Sequence, residues 1–171
     1  MCKTCCIIGH RKIETTEKLV EKLNELVTHL VVNCGVKRFL FGSKSQFNDL
    51  CHKLITNAMQ KYPEIKRINY TCRNEYCTLK EEKQHLEKVI EKIANDKIEL
   101  LCFEEEFEHN NKWKSGKACY IERNQAMIND SDFCIFYFDD QTTLKKSGTA
   151  IAYKYAVSKK KNIFNLSKEI I

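Results

Sequence analysis

Ser131-Asp132-Phe133-Cys134-Ile135-Phe136-Tyr137-Phe138-Asp139-Asp140, followed by Ser147-Gly148-Thr149, decides the fold of this chain. The run from Phe133 to Phe138 is apolar at nearly every position, as expected of a strand whose sheet is covered on both faces. It ends in acids, and a small-residue turn then opens a helix expected over about Thr149–Ser158. Upstream, Tyr120-Ile121-Glu122-Arg123-Asn124 lies in a helix expected over about Lys117–Asn129. Polar helix, buried strand, turn and helix in that order describe one unit of an open, parallel α/β sheet.

The same alternation extends outward. Thr4–Ile8 is a short apolar run ending at Gly9. Leu19, Val20, Leu23, Leu26, Val27, Leu30 and Val31 recur at helical spacing, with Gly35 as the helix stop. A second strand, Arg38–Phe41, ends at Gly42-Ser43, and Phe47, Leu50, Cys51, Leu54, Ile55 and Met59 mark the next helix, with Pro63 beyond it. A third strand is expected at about Arg67–Thr71, a helix through Leu79, Leu86, Val89, Ile90 and Ile93, and a fourth strand at Ile98–Phe103. Glu104–Gly116 reads as irregular and polar, and its Phe107 and the sole Trp, Trp113, mark it as a lid over a ligand or as an anchor to the core. The last strand is Asn162–Leu166. The expected architecture is a Rossmann-like three-layer α/β/α sandwich with a mostly parallel sheet of about six strands, in one domain over residues 1–171.

Composition narrows the function. A length of 171 residues suits one domain with a full core. The formal net charge of +6 is spread along helices also rich in Glu, and Lys159-Lys160-Lys161 is short enough to read as solvated surface. Nucleic acid is therefore not expected as a partner, whereas a small anionic ligand suits a modest positive field. No segment approaches the ~20 apolar residues of a membrane helix, and the N-terminus lacks the features of a signal peptide, so a cytoplasmic protein with no membrane partner is expected. Ten Cys without a secretion signal imply reduced thiols. Cys6, Cys34, Cys51, Cys102 and Cys134 lie in apolar runs and read as small core residues. Cys2-x-x-Cys5 and Cys72-x4-Cys77 resemble zinc half-sites, but neither has a second half at finger or ribbon spacing, so no metal is expected, and no cofactor.

Three turns at the carboxyl ends of expected strands carry the candidate ligand contacts. Gly9-His10-Arg11 combines a residue that lets backbone approach a ligand, a ring donor and a guanidinium fork for phosphate or carboxylate; the alternative is a plain turn with an exposed Arg. Gly42-Ser43 precedes a helix that Ser43 or Ser45 can cap, and it lacks the pattern of a Walker loop. Ser147-Gly148-Thr149 sets backbone N–H groups and a hydroxyl at a helix start, where an anion gains from the dipole. Glu122, Arg123 and Asn124 are consecutive, so they cannot all face one way. Asp139 suits ribose hydroxyls or simple solvation of the strand end.

Taken together, these residues resemble the SLOG superfamily of Rossmann-like proteins, which includes Lonely Guy and DNA processing protein A relatives, and in particular its YpsA-like branch. The resemblance covers nearly the whole chain. It rests on Gly9-His10-Arg11, where that branch has Thr-Gly-His-Arg and this chain has Ile8 for Thr, on Glu122-Arg123-Asn124 before Asp132, and on Ser147-Gly148-Thr149. It implies a pocket for a nucleotide or ADP-ribose-like ligand, and it leaves room for a homodimer. It also offers an alternative, an N-glycosidase acting on a nucleoside monophosphate, with Glu122 and Arg123 as candidate catalytic groups, and a third reading, an interaction module with a vestigial pocket. Lonely Guy enzymes carry Gly-Gly-x-Gly-Thr followed closely by a catalytic Glu. Here Lys146-Ser147-Gly148-Thr149 is followed by Ala150-Ile151-Ala152, without an acid, which lowers the expectation of that chemistry.

Overall fold

A computed structural model describes residues 2–42, 45–72, 105–109, 117–139 and 147–167. In chain order the elements are β1 (Lys3–Gly9), α1 (Glu17–Val32), β2 (Val36–Phe41), α2 (Gln46–Lys61), β3 (Lys66–Cys72), β4 (Glu105–His109), α3 (Lys117–Asn129), β5 (Phe133–Tyr137), α4 (Gly148–Ser158) and β6 (Asn162–Asn165). The strands form one sheet in the order β4-β3-β2-β1-β5-β6, and every neighbouring pair is parallel.

The period of two along each strand divides the core. Cys5 and Ile7 of β1, Phe39 and Phe41 of β2 and Ile135 of β5 pack with Leu19, Leu23, Val27 and Leu30 of α1 and Phe47, Cys51 and Ile55 of α2. The alternate residues, Cys6, Ile8, Leu40, Ile68, Cys134 and Phe136, pack with Met127 and Ile128 of α3 and Ala152 and Ala156 of α4. Helices on both faces make the three-layer sandwich, and they explain why β1 and β5 read as continuous apolar runs rather than alternating ones.

Local signals set the helix ends. Thr16 Oγ1 accepts from Leu19 N at 3.2 Å, Ser45 Oγ from Asn48 N at 3.1 Å and Ser147 Oγ from Ala150 N at 3.1 Å, each filling an otherwise open donor in a first turn. Gly35, after α1, has φ 74°, a left-handed value that favours glycine. Asp132 clips the start of β5 to β1: its carboxylate accepts from Thr4 N at 2.9 Å and its N–H donates to Thr4 O at 2.8 Å.

Several expectations need correction. The fourth described strand is Glu105–His109, inside the stretch read as irregular. Among the described residues it pairs with β3 alone, at the end of the described sheet, where a polar sequence such as Glu-Glu-Phe-Glu-His is tolerated. Phe107 therefore sits in a strand, opposite Tyr70, and not in a lid. The expected strand Ile98–Phe103, the expected helix through Leu79 and Ile93, and Trp113 lie outside the described residues. Lys161, read as solvated, donates from Nζ to Asn129 O at 3.1 Å and Ser131 O at 2.6 Å, closing the end of α3. Cys5, Cys6, Cys51 and Cys134 are fully buried, while Cys34 is half-buried and Cys102 lies outside the described residues. Burial pushes the thiols of Cys5, Cys6 and Cys51 well up, which suits inert core residues and not thiolate ligands.

Candidate functional site at the switch in strand order

From β1 the chain steps outward through β2 and β3 to β4, then returns to the other side of β1 as β5. The order reverses between β1 and β5. In open α/β sheets ligands bind outside the carboxyl ends of the strands at this point, where successive crossovers diverge to opposite faces and leave a crevice. The described residues that leave β1, β2 and β5 lie at this switch.

The segment after β1 is the hub. His10 N donates to Tyr137 O at 3.3 Å, extending the β1–β5 ladder by one step. Thr149 Oγ1, in the first turn of α4, donates to Gly9 O at 3.3 Å. On the other face Gln46, the first residue of α2, donates from its N–H to Arg11 O at 3.0 Å and accepts at Oε1 from Ile13 N at 2.9 Å. Gly9-His10-Arg11 is thus tied to the N-termini of both α2 and α4. Arg11 itself is exposed.

His10 and Asp139 meet at this switch in strand order. Asp139 N donates to His10 Nε2 at 3.2 Å, which requires a lone pair on that nitrogen and so a neutral ring with its proton on Nδ1. Burial lowers the His10 pKa, and the Asp139 carboxylate partly opposes this. The ring lies 5.8 Å from that of Phe138, which lies 5.1 Å from Tyr153 of α4. On the opposite face the Phe47 ring is 5.5 Å from Tyr137, whose hydroxyl pKa is raised by burial and then by Asp139 and Glu14.

The two glycines at strand ends have packing reasons that the sequence does not display. A Cβ on Gly9 would lie 2.6 Å from Phe47 Cβ and closer still to its ring, so glycine here lets α2 seat against β1. A Cβ on Gly42 would lie 2.9 Å from Arg123 Nε and 3.3 Å from Met127 Cε. Arg123 is 1% exposed, and its guanidinium carbon stands 5.1 Å from the Tyr120 ring centroid. Asn124 is also buried and Glu122 half-buried. The fold therefore places Gly42 and Arg123 against one another beside the carboxyl end of β2, next to the hub on β1. Ser147 spends its hydroxyl as a helix cap and Thr149 its proton on Gly9; Gly148 is exposed at the start of α4. Ser43 lies outside the described residues.

Three positioning residues escaped the sequence reading. Phe47 and Gln46 carried no local sign of a role beyond core and surface. Asn165, buried at the end of β6, accepts from Phe138 N at 3.0 Å and donates to Phe138 O at 2.8 Å, so its amide continues the sheet where β5 has ended. The Ser167 hydroxyl lies within reach of Phe138 O and, at 3.0 Å, of Asn165 Oδ1, and its one proton serves one of them at a time. An amide directly after the apolar pair Ile163-Phe164 was the available signal, since a buried amide must find backbone partners.

No family model matches the sequence, and no curated protein matches it. Among solved structures, one of DNA processing protein A from Helicobacter pylori, described for its single-stranded DNA binding mode, is similar with a TM-score of 0.54 and 19% identity, over 98% of this chain and 71% of that one. That protein is related to the SLOG superfamily, and the likeness is one of fold. It also overturns the expectation that set nucleic acid aside, since a protein with this architecture is described as a binder of single-stranded DNA. Charge spread over helices was a poor reason for that exclusion, because phosphate backbones respond to the local field and not to the composition of whole helices.

Proposed function

We propose that the protein binds a nucleotide-type ligand in the crevice at the switch in strand order, with an ADP-ribose-like molecule as the specific form. The single observation behind this reading is the convergence of turns on the end of β1: Thr149 to Gly9, Gln46 to Arg11 and Asp139 to His10. Phosphate meets the exposed start of α4 at Gly148 and the Arg11 guanidinium, with the dipole of α4 directed at it. The Asp139 carboxylate takes ribose hydroxyls. The fold neighbour's description as a binder of single-stranded DNA supports a nucleotide as the recognised unit, either free or within a strand.

Binding is favoured over glycosidic cleavage because the helix after Thr149 continues with Ala150, Ile151 and Ala152, and two of these face the core. Among the described residues the first turns of this helix hold no carboxylate, where Lonely Guy enzymes carry a catalytic Glu. A charge-assisted contact from Arg11 contributes about 1.5–3 kcal/mol. Arg11→Ala should therefore weaken nucleotide binding about tenfold or more in calorimetry. Equal affinity for the variant and the parent would remove the crevice from the account, and release of free base during the same incubations would replace binding by catalysis.

A further inference from the structure

Outside the crevice, thiols and an imidazole gather where α1 ends and β1 begins. Cys34 Sγ stands 3.5 Å from Nε2 of His29, in the last turn of α1. The chain folds back on that turn: His29 O accepts from Asn33 N at 2.8 Å and from Cys34 N at 3.2 Å. Backbone bonds therefore hold the thiol beside the ring. Gly35, at φ 74°, then turns the chain into β2. Lys3 N donates to Gly35 O at 3.4 Å, and the register sets Lys3 beside Val36. A second thiol, Cys2, immediately precedes Lys3, as Cys34 immediately precedes Gly35. His29 and Cys2 are exposed and Cys34 is half-buried, so solvent reaches the group.

Both thiols are free in this structure, and Cys2 Sγ lies 3.8 Å from Lys3 O. One residue back from a bonded position on neighbouring strands, Cα atoms stand roughly 5–8 Å apart, against the ~4.4–6.8 Å that a disulfide spans. Cys2 lies outside the paired residues of β1, so rotation about its own backbone bonds brings its sulfur to Cys34 without opening the sheet.

Two simpler accounts fall short. The first is packing, since Cys34 touches the α1 side of the core. Cys5, Cys6, Cys51 and Cys134 show that role in this fold, sealed from solvent, whereas Cys34 is open and has a base within reach. The second is a helix cap. An S–H group is a weak donor, and the end of α1 is already closed by the two backbone bonds to His29 O.

We infer that Cys2 and Cys34 form a reversible thiol-modification site, oxidised by a low-molecular-weight disulfide, with His29 as the proton acceptor that readies Cys34. The Cys34 thiol passes its proton to His29 Nε2, and the thiolate attacks one sulfur of the small disulfide. That S–S bond breaks, a mixed disulfide forms on Cys34, and the departing thiolate takes up the proton. Cys2, as thiolate, then attacks the Cys34 sulfur and releases the second small thiol. In sum, two protein thiols lose two electrons and two protons, and the small disulfide becomes two thiols. The new bond closes β1 and α1 into one covalent loop at the edge of the sheet away from the crevice, which constrains the unfolded chain. The site does not depend on the crevice reading.

The test incubates the whole chain with glutathione disulfide and follows the products by intact mass and peptide mapping. The parent should form the Cys2–Cys34 bond and retain no glutathione on either residue, and its melting temperature should rise by about 5 °C or more. Cys2→Ser should stop with one glutathione on Cys34. His29→Gln should slow modification of Cys34 about tenfold or more while leaving that of Cys119 unchanged. Both substituted positions are exposed, and melting temperatures of the reduced variants equal to the parent's check the fold. Should His29→Gln lose its fold, the adduct trapped in Cys2→Ser decides alone. Equal rates in the parent and His29→Gln, modification of Cys2 ahead of Cys34, or a glutathione on Cys34 that Cys2 never displaces would each overturn the assignment.

Discussion

His10 shows how one side chain reports on the whole crevice. Its Nε2 accepts from Asp139 N, so the closed arrangement needs a neutral ring. Burial lowers its pKa below the ordinary value near 6.5, and the fold therefore releases a proton that the unfolded chain keeps. The His10 contribution to stability is complete above about pH 6.5 and is lost as pH falls through the folded pKa. On acidification from neutral, the parent should lose more melting temperature than His10→Gln, which keeps a hydrogen-bond acceptor but does not titrate. Parallel curves for the two proteins would show that the His10–Asp139 contact carries no such linkage. Gly9 makes a related point about legibility. The sequence displayed a glycine after a strand and suggested a turn or a ligand approach, whereas the bare Cα is required by Phe47, a residue far along the chain. A contact between distant positions leaves no trace in local pattern, so this reason was invisible without the fold.

At the scale of elements, Asn165 makes the end of β6 part of the site. Its two bonds to Phe138 hold the backbone that leads to Asp139. Asn165→Ala leaves a buried N–H and a buried C=O of Phe138 without the amide, at a cost of about 1–3 kcal/mol in stability measured by urea unfolding. A change within about 0.5 kcal/mol would mean that Phe138 is held by other means. The elements themselves were legible to very different degrees. β5 announced itself because a doubly covered strand is apolar throughout, and α1 and α2 because an exposed helix keeps its apolar residues on one stripe. β4 was missed because a strand at the end of a sheet is held by backbone hydrogen bonds to one neighbour, and Glu-Glu-Phe-Glu-His satisfies that without an apolar run. Lys161 was misread for a similar reason: a lysine in a basic run looks solvated until the carbonyls at the end of α3 are found within its reach.

At the scale of the molecule, parallel strands give the sheet two chemically different edges. The carboxyl edge gathers helix N-termini, the crevice between β1 and β5, and the Gly9–His10–Arg11 hub. The amino edge gathers helix C-termini, with exposed lysines and acids beside them. The sequence set Gly9, His10, Arg11 and Asp139 after expected strands, but it did not show the bonds by which His10 and Asp139 meet. Among the described residues no helix is long and apolar enough to cross a membrane.

The central claim is that the turns around β1 form a nucleotide site at the switch in strand order. Its most direct test is a titration of the isotopically labelled protein with adenosine monophosphate and with ADP-ribose, followed by amide chemical shifts. The expected result is saturable shifts at Gly9, His10, Arg11, Asp139, Gly148 and Thr149, with the amides at the starts of the strands unmoved. Shifts confined to the amino edge, or none at concentrations that saturate a micromolar site, would contradict the claim.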